Sequence, residues 1–287
     1  MSLPFVKMHG LGNSYVYLDL TAERAPERFD FPALARKVSD VNFGIGSDGL
    51  IVILPSERAD FRMRMFNADG SESGMCGNGI RCVGKYVYDA RLTSKTEVVI
   101  ETGAGLRRLE LLVEKGKVER VRVDMGEPRL LRRDIPMLGD PDTTALGASL
   151  DVDGEIFSVT AVSMGNPHCV IFTDEVTDRL VTVVGPKIER HPAFPERTNV
   201  EFVKASGRGV LEMRVWERGS GETMACGTGA CAVSVAAALN GLAGEKSTVR
   251  LLGGELEIEW RRPGPVYMTG PATLVCTGEL SADWLAS

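Results

Sequence analysis

The sequence has no long apolar run. The longest candidate, Ala230 to Leu239, is about ten residues and contains Ser234, whereas a membrane helix needs roughly 18 to 20 apolar residues. The first ten residues carry Lys7 and His9 and have no apolar signal-peptide core. We therefore expect a cytoplasmic protein that has no membrane partner.

Basic residues are also in short supply. Lysine and arginine number 33 against 39 acidic residues, and the formal net charge is -6. An extended nucleic-acid surface needs a basic excess, so we expect no nucleic-acid partner. A few local donors can still bind an anionic small molecule. The 44% hydrophobic content excludes a disordered chain, and the length of 287 residues favours about two domains.

Cysteine is scarce for a disulfide scaffold, with six residues in the whole chain. No two cysteines have the two-residue spacing of a zinc knuckle or a thioredoxin-type redox site. A cysteine is most often a small buried hydrophobe. We expect that packing role for four of the six, Cys82, Cys169, Cys231 and Cys276.

The chain contains an internal repeat. Residues 63–79 aligned on residues 213–229, a shift of 150, are identical at six of seventeen positions, including Cys76 over Cys226. About one identity is expected from composition. A weaker repeat places Gly12-Asn13 over Gly165-Asn166 at a shift of 153. The sequence therefore predicts two similar domains.

The periodicity predicts an α/β (α+β) fold dominated by strands. One strong helix is predicted in each half, over 77–90 and 227–239, and the second is apolar nearly all round, as expected of a helix buried on all sides. A loop or crossover is predicted over 134–153, where Pro, Gly, Asp and Thr accumulate. Strands are predicted near 3–8, 14–20, 49–54, 61–67, 97–102, 107–114, 118–124, 156–164, 168–173, 199–204, 210–217, 248–252, 255–260 and 264–269.

Both Cys-Gly-x-Gly turns stand where a glycine-rich turn meets a helix. The first N–H groups of a helix lack intrahelical partners and favour negative charge. We therefore expect a lowered thiol pKa at Cys76 and Cys226. The same N–H groups can bind a carboxylate.

Two such thiols suit the inversion of a carbon that bears hydrogen beside a carboxylate. One thiolate removes the proton, the other thiol returns a proton from the opposite face, and the backbone donors stabilise the enediolate. A regulatory disulfide between the two turns is an alternative reading, and it would need both thiols within bonding distance.

The sequence resembles the diaminopimelate epimerase family along nearly its whole length. Several of the matching blocks are weak singly, but their order and spacing are specific. The blocks are Lys7 to Asn13, Gly44 to Leu50, Phe66 to Glu72, Met75 to Cys82, Met164 to His168, Arg197 to Phe202, Trp216 to Thr223 and Ala225 to Gly229.

The resemblance implies an enzyme that interconverts LL- and meso-diaminopimelate without pyridoxal phosphate, metal or any other cofactor, for lysine and peptidoglycan precursors. It implies two pseudo-symmetric domains, each a curved, mostly antiparallel sheet around a central helix, with the site in the interdomain cleft. We expect one domain over 1–125, joined by 271–287, and the other over 126–270. The resemblance also implies a homodimer, with Tyr267 in the interface.

The resemblance implies the following roles for individual residues. Cys76 and Cys226 are the acid/base pair, and His168 and Glu217 support catalysis. Backbone donors for the reacting carboxylate come from Gly77, Asn78, Gly227 and Thr228. The remaining substrate groups are held by Asn13, Asn67, Asn166, Asn199, Glu217 and Arg218.

Asparagine supplies both donors and acceptors, an arginine can bind a carboxylate bidentately, and a glutamate can pair with an ammonium group. Ser47 departs from the family pattern, where glutamine is common, and its shorter side chain makes it a doubtful contact.

Three alternative functions stay open on the sequence. A proline or hydroxyproline racemase uses a similar two-thiol arrangement, but Glu217 and Arg218 favour a longer substrate with a distal ammonium and carboxylate. A thiol-based redox sensor and a non-catalytic binding protein are the alternatives from other classes, because a fold does not determine function.

Overall fold

The computed structural model describes residues 2–23 and 29–286. It confirms the mixed α/β class, with strands predominating over helices. Within the described residues, none of the helices has the length and apolar character that a membrane crossing requires. The chain separates into two compact units, Met1–Val123 with Gly270–Ser287 (unit 1) and Asp124–Thr269 (unit 2).

Unit 1 is built mainly of antiparallel strands. The parallel pairs are β2–β3 and β4–β6, and the last strand, β18, returns to pair with β1. The elements are β1 (Leu3–Gly10), β2 (Asn13–Asp19), α1 (Phe31–Ser39), β3 (Gly49–Leu54), β4 (Phe61–Asn67), β5 (Glu72–Ser73), α2 (Gly77–Asp89), β6 (Glu97–Thr102), β7 (Gly105–Glu114), β8 (Lys117–Asp124), β18 (Thr273–Leu280) and α5 (Ala282–Ala286).

Unit 2 repeats this pattern. Its parallel pairs are β11–β12 and β13–β15. The elements are a 3₁₀ turn (Arg132–Asp134), β9 (Ala148–Val152), β10 (Glu155–Ser163), β11 (Pro167–Phe172), a π-helical segment (Arg179–Val184), α3 (Gly185–Glu189), β12 (Asn199–Ala205), β13 (Val210–Glu217), β14 (Gly221–Glu222), α4 (Gly227–Leu239), β15 (Lys246–Leu251), β16 (Gly254–Trp260) and β17 (Val266–Pro271).

The helix of unit 2 is enclosed by its own sheet, as its composition predicts. Ten residues of α4 are buried, and the helix packs against β10 to β13, β15 and β16. Its alanines and valines let strands approach from every side without a polar face to solvate. In α2, Ile80, Cys82, Val83 and Val87 are fully buried, whereas Lys85, Tyr86 and Tyr88 are partly exposed.

The repeat in the sequence is a repeat in structure. Helices α2 and α4 both have 13 residues and both begin on the residue after the aligned cysteine. In the parallel pairs, Val16 lies opposite Leu50 in unit 1, and Cys169 lies opposite Val200 in unit 2. Cys169 lies 153 residues after Val16, and Val200 lies 150 residues after Leu50, so the strand pairing has the same two shifts as the sequence repeat.

Two expectations about local structure were wrong. The predicted loop over 134–153 contains β9 (Ala148–Val152), which pairs with β10. A short strand whose partner supplies most of its contacts gives a weak local signal. Cys276 is exposed on β18 rather than packed in a core, because residues 273–277 of that strand all face solvent.

Candidate active site

Cys76 caps the N-terminus of α2. Its backbone is extended, with φ -135° and ψ 116°, and its Sγ accepts the Gly79 amide at 3.2 Å. The side chain is half-buried. Glycine at position 79 allows the helix to lie close to Ile51 and to the thiol, because a Cβ there would lie 2.5 Å from the end of Ile51 and 3.4 Å from Cys76 Sγ. The thiol thus lies at the positive end of a helix, as the sequence predicts.

Asn13 of unit 1 contacts this thiol, and Asn78 and Asp48 contact Asn13. Cys76 Sγ donates to Asn13 Oδ1 at 3.5 Å, and Asn78 Nδ2 donates to the same oxygen at 3.4 Å. Asp48 holds Asn13 in place by accepting its Nδ2 at 2.8 Å and the Ser14 amide at 2.7 Å. The structure therefore brings Asn13, Asn78 and Cys76 together, with Asp48 orienting the amide.

Two other predicted substrate contacts in unit 1, Asn67 and Ser47, form hydrogen bonds with residues nearby in the chain. Asn67 Nδ2 donates to Ser71 Oγ at 3.0 Å in the turn after β4. Ser47 Oγ donates to the Gly49 carbonyl at 2.9 Å and lies 3.3 Å from Ser39 Oγ. Gly77 is the first residue of α2, where the amide has no intrahelical acceptor.

Cys226 occupies the corresponding cap of α4 with φ -118° and ψ 109°. Unlike Cys76 it is buried, and its Sγ lies 3.6 Å from Thr228 Oγ1. The carboxylates of Glu217 and Glu201 lie close enough to this thiol to influence its pKa. Gly227 begins the helix and leaves its amide without an intrahelical acceptor.

The expected lowering of the thiol pKa is wrong for Cys226. Burial raises the pKa of this thiol well above its usual range, and the carboxylates of Glu217 and Glu201 raise it further. The Thr228 hydroxyl and the Gly229 amide act in the opposite direction. Desolvation and two nearby negative charges outweigh the helix terminus, so Cys226 is held as a neutral thiol.

Glu217 is the carboxylate that most strongly raises the pKa of the Cys226 thiol. It accepts a short hydrogen bond of 2.5 Å from Thr223 Oγ1. Burial raises the pKa of Glu217, while hydrogen bonds from Thr223 and Cys226 and the charge of His168 oppose the rise. A carboxyl group with a raised pKa beside a neutral thiol can exchange a proton with it.

The next residue, Arg218, is anchored by its backbone. Its amide donates to Asn199 Oδ1 at 2.9 Å, and Asn199 Nδ2 donates to the Pro167 carbonyl at 2.9 Å. The exposed guanidinium donates to the Glu196 carbonyl at 2.9 Å. The predicted residues Asn199, Glu217 and Arg218 thus belong to one hydrogen-bonded loop region of unit 2.

His168 is fully buried and bonded at both ring nitrogens. Its Nδ1 lies 2.6 Å from Glu201 Oε1, and its Nε2 lies 3.1 Å from Asn166 Oδ1. Asn166 Nδ2 in turn donates to Thr228 Oγ1 at 3.3 Å. His168 therefore reaches Cys226 through Asn166 and Thr228 rather than by direct contact.

Three residues with a part in these clusters were not singled out from the sequence: Asp48, Glu201 and Thr223. All three stand inside the family-like blocks, and Thr223 is the last residue of the block that begins at Trp216. Their positions in those blocks were the available signal. Their roles depend on partners far along the chain, such as the pairing of Glu201 with His168.

The other buried cysteines, Cys82, Cys169 and Cys231, lie within α2, β11 and α4. Burial raises the pKa of Cys82 to about 11, and burial likewise raises the pKa of Cys169 well above its usual range. Cys231 is fully buried in α4. These three fit the expected packing role. Among the described residues, no group of three or more His, Cys, Asp or Glu side chains could hold a metal ion.

Comparison with known proteins gives a family match along most of the chain. The model of the family described as diaminopimelate epimerase matches residues 5–131 and 160–275. A relative from Acetivibrio thermocellus named diaminopimelate epimerase is 54% identical over 282 residues, which covers 98% of this chain and 99% of the relative.

Solved structures share the fold at low sequence identity. A phenazine biosynthesis protein of the PhzF family from Bacillus anthracis has a TM-score of 0.68 at 16% identity, covering 98% of this chain and 99% of its own. A probable proline racemase from Agrobacterium radiobacter K84, with bound carbonate, has a TM-score of 0.67 at 18% identity, covering 98% and 93%. At these identities the likeness concerns the fold alone.

Proposed function

Because the chain belongs to the diaminopimelate epimerase family, we propose that the two cysteine-capped helices are the catalytic elements of its reaction. The protein is an isomerase that epimerises diaminopimelate, a step of lysine biosynthesis. One observation carries the proposal for the site: Cys76 and Cys226 occupy the same N-cap of two helices related by the internal repeat.

The proposed reaction converts LL-diaminopimelate to meso-diaminopimelate by a proton exchange. One cysteine thiolate removes the α-hydrogen as a proton, and the electron pair left on carbon delocalises into the carboxylate. The other cysteine thiol donates its proton to the opposite face of that carbon. The first cysteine ends as a thiol and the second as a thiolate, so atoms and charge balance.

The first turns of the two helices supply donors for the charge that develops. The amides of Gly77 and Asn78 and those of Gly227 and Thr228 belong to the helix positions that lack intrahelical acceptors. We assign them to the reacting carboxylate, where backbone N–H groups stabilise the enediolate. Glu217 takes the proton of Cys226 when that cysteine has to act as the thiolate, which the mutual influence of the two groups on their pKa values supports.

The position of these side chains within each unit supports roles in substrate binding for the asparagines and for Arg218. Asn13 in unit 1 and Asn166 in unit 2 lie within one or two hydrogen bonds of the cysteine of their own unit. We assign them, with Asn67, Asn199, Glu217 and Arg218, to the amino and carboxylate groups of the substrate. A molecule with two ammonium and two carboxylate groups needs both donors and acceptors.

Isotope exchange tests this function. The reduced protein is incubated with LL-diaminopimelate in heavy water, and deuterium incorporation and stereochemistry are followed by mass spectrometry and chiral chromatography. We expect deuterium at the α-carbon and formation of the meso isomer. Absence of both would overturn the proposal, and exchange into proline instead would favour a racemase.

Single substitutions test the cysteine pair. Cys76→Ala and Cys226→Ala should each abolish epimerisation, because either change leaves one face of the carbon without an acid or base. Retained circular dichroism separates loss of chemistry from loss of fold. Full activity in either variant would remove that cysteine from the mechanism.

We also propose that the catalytic domains span 1–125 with 271–287, and 126–270, since each segment contains one complete copy of the repeat. We propose a cytoplasmic location, where the product also serves peptidoglycan precursor synthesis. A periplasmic or secreted location in cell fractionation would contradict that assignment.

A homodimer completes the proposal. Tyr267 on β17 is half-buried and lies 4.7 Å, measured to its ring centre, from the guanidinium of Arg261. An aromatic ring with an arginine partner is a common interface anchor. Sedimentation at micromolar concentration should give twice the mass of the 31.0 kDa chain, and a monomer would count against this state.

A further inference from the structure

Unit 2 contains a buried carboxylate that the proposed chemistry does not use. Glu201 on β12 is 0% exposed, as is His168 on β11. Glu201 Oε1 lies 2.6 Å from His168 Nδ1, and Glu201 Oε2 has no hydrogen-bond partner within the part of the chain that the structure describes. A buried, half-satisfied carboxylate is costly, which calls for a compensating role.

The partners of His168 determine where its protons lie. Nδ1 faces a carboxylate oxygen and Nε2 faces the Asn166 carbonyl oxygen at 3.1 Å. An amide oxygen only accepts hydrogen bonds, so Nε2 must carry a proton. Glu201 Oε1 contacts Nδ1 on the opposite side, so the ring is held in one orientation from both sides.

Two further hydrogen bonds connect the fixed ring of His168, through Asn166, to Cys226. Because the Asn166 carbonyl oxygen faces Nε2, its amide nitrogen faces Thr228 Oγ1 at 3.3 Å. Thr228 Oγ1 lies 3.6 Å from Cys226 Sγ. The chain of contacts from Glu201 to the thiol is therefore continuous and lies wholly within unit 2.

The internal repeat provides a comparison within the same molecule. In the sequence alignment, Glu201 corresponds to Ile51, and His168 corresponds to Tyr15. Ile51 and Glu201 lie under the third residue of the capped helix in their own units. A Cβ at Gly79 would meet Ile51 at 2.5 Å, and a Cβ at Gly229 would meet Glu201 Oε1 at 2.8 Å. Unit 1 builds its cysteine cap over an apolar residue, so the cap itself does not need the carboxylate.

We propose that Glu201 is a positioning residue for the Cys226 half of the site. Its carboxylate fixes His168 as an Nε2–H donor, and His168 thereby orients the Asn166 amide and the Thr228 hydroxyl against the thiol. This role rests on the proposed catalytic function of Cys226. It explains why only one of the two equivalent positions, 51 and 201, has a buried carboxyl group.

Nuclear magnetic resonance tests the protonation state without any need for activity. The chain has three histidines, so the ring nitrogens of His168 can be identified in ¹⁵N-histidine-labelled protein with the His9→Gln and His191→Gln variants. We expect a proton on Nε2 of His168 at neutral pH, and loss of this single fixed state in Glu201→Ile. An unprotonated Nε2 in the wild type, or an unchanged His168 signal in Glu201→Ile, would overturn the proposal.

Kinetics test the consequence for catalysis. Glu201→Ile installs the residue found at the equivalent position of unit 1, and we expect kcat to fall by about tenfold to a hundredfold, because misplaced reacting groups cost up to roughly that factor. Glu201→Gln restores a polar partner for Nδ1 and should recover part of the loss. Val249→Ala, in the buried core of β15, serves as a destabilised control with kcat retained per folded molecule. Equal kcat values for Glu201→Ile and Val249→Ala would contradict a positioning role.

A double variant covers the case in which Glu201→Ile fails to fold. His168→Tyr combined with Glu201→Ile reproduces the pair of residues that unit 1 carries, and removes both buried polar partners together. We expect this variant to fold and to lose activity, and a wild-type kcat would overturn the proposal. If the wild type does not epimerise diaminopimelate, the proposed function fails, whereas the resonance experiment still decides the role of Glu201 toward His168.

Discussion

At the scale of single residues, the two cysteine caps are alike in backbone and different in electrostatics. Cys76 is half-buried and bonded to an amide and an asparagine. Cys226 is buried beside two carboxylates, Glu217 and Glu201, which together with burial raise the pKa of its thiol. The two caps therefore share a backbone geometry and differ in burial and in the charges that surround the thiol.

Glu217→Gln tests the coupling of this carboxylate to Cys226. The variant keeps the size of the side chain but cannot take the proton of the thiol. We expect kcat to fall by about a hundredfold to ten-thousandfold, the usual contribution of a general acid–base group. Steady-state kinetics with diaminopimelate measure this, and a change confined to KM would limit Glu217 to substrate binding.

The same substitution should change how stability depends on pH. A carboxyl group with a raised pKa in the folded protein contributes stability that is fully present below its unfolded value of about 4.3 and is lost as pH rises through the folded pKa. The pKa of Glu217 is raised by burial. Melting temperature should therefore decline less above about pH 4.3 in Glu217→Gln than in the wild type, and a steeper decline in the variant would contradict the raised pKa.

Alkylation tests the raised pKa of Cys226. Only the thiolate reacts with iodoacetamide, so a buried thiol with a raised pKa reacts slowly at neutral pH. The exposed Cys276 serves as a comparator in the same chain. We expect Cys276 to react faster, because burial and the nearby carboxylates raise the pKa of Cys226 and lower its thiolate fraction. Equal rates at neutral pH, measured by peptide mass spectrometry, would be inconsistent with this assignment.

At the scale of elements, each cap depends on a glycine two residues inside its helix. A Cβ on Gly229 would lie 2.8 Å from Glu201 Oε1 and 3.2 Å from Cys226 Sγ. The glycine weakens α4 as a helix, because alanine is favoured there by about 1 kcal/mol. The close approach of strand, helix and thiol thus outweighs helix propensity at this position.

Gly229→Ala should separate the effect of close packing around the thiol from the effect of helix propensity. We expect the helix content to be retained and kcat to fall about tenfold or more, because the added methyl displaces the thiol or the carboxylate. Gly244→Ala is the matched control, since no heavy atom of the described residues, apart from its chain neighbours, lies within 4 Å of a Cβ there. Circular dichroism and kinetics on both variants measure the difference, and unchanged kcat in Gly229→Ala would show that the site tolerates the displacement.

Predictability also differs between elements. The strands with alternating or continuous apolar runs, and helices α2 and α4, follow from periodicity, as in β3, where all six residues are buried. Helix α1 and strand β18 were not predicted. Helix α1 has nine residues, which is short for a periodic signal, and β18 is stabilised by pairing with β1 at the other end of the sequence.

At the scale of the whole molecule, the two ends of the chain meet in unit 1. Strand β18 (Thr273–Leu280) pairs antiparallel with β1 (Leu3–Gly10). The Pro271 carbonyl accepts Arg81 Nε at 3.2 Å, which ties the C-terminal segment to a buried arginine of α2. The C-terminal segment is therefore part of the body that positions Cys76.

Truncation after residue 269 tests this dependence. Removing β18 exposes the backbone of β1 and the core residues beneath it, which leaves an unpaired edge prone to aggregation. We expect loss of hydrogen-exchange protection in β1 and loss of activity. A chain ending at Leu280 keeps β18 and loses α5 (Ala282–Ala286), and it should retain protection in β1. Full protection in the shorter chain would show that β18 is dispensable.

The sequence alone determined the repeat, the two cysteine-capped turns and the family, because each depends on residues close together in the chain or on an ordered set of motifs. Only the tertiary structure decided the electrostatics of the site. Glu217 and Glu201 come from β13 and β12, and their packing beside Cys226 reverses the pKa shift that a helix terminus alone predicts. Burial and charge pairing depend on contacts between distant segments, so a local sequence pattern cannot specify them.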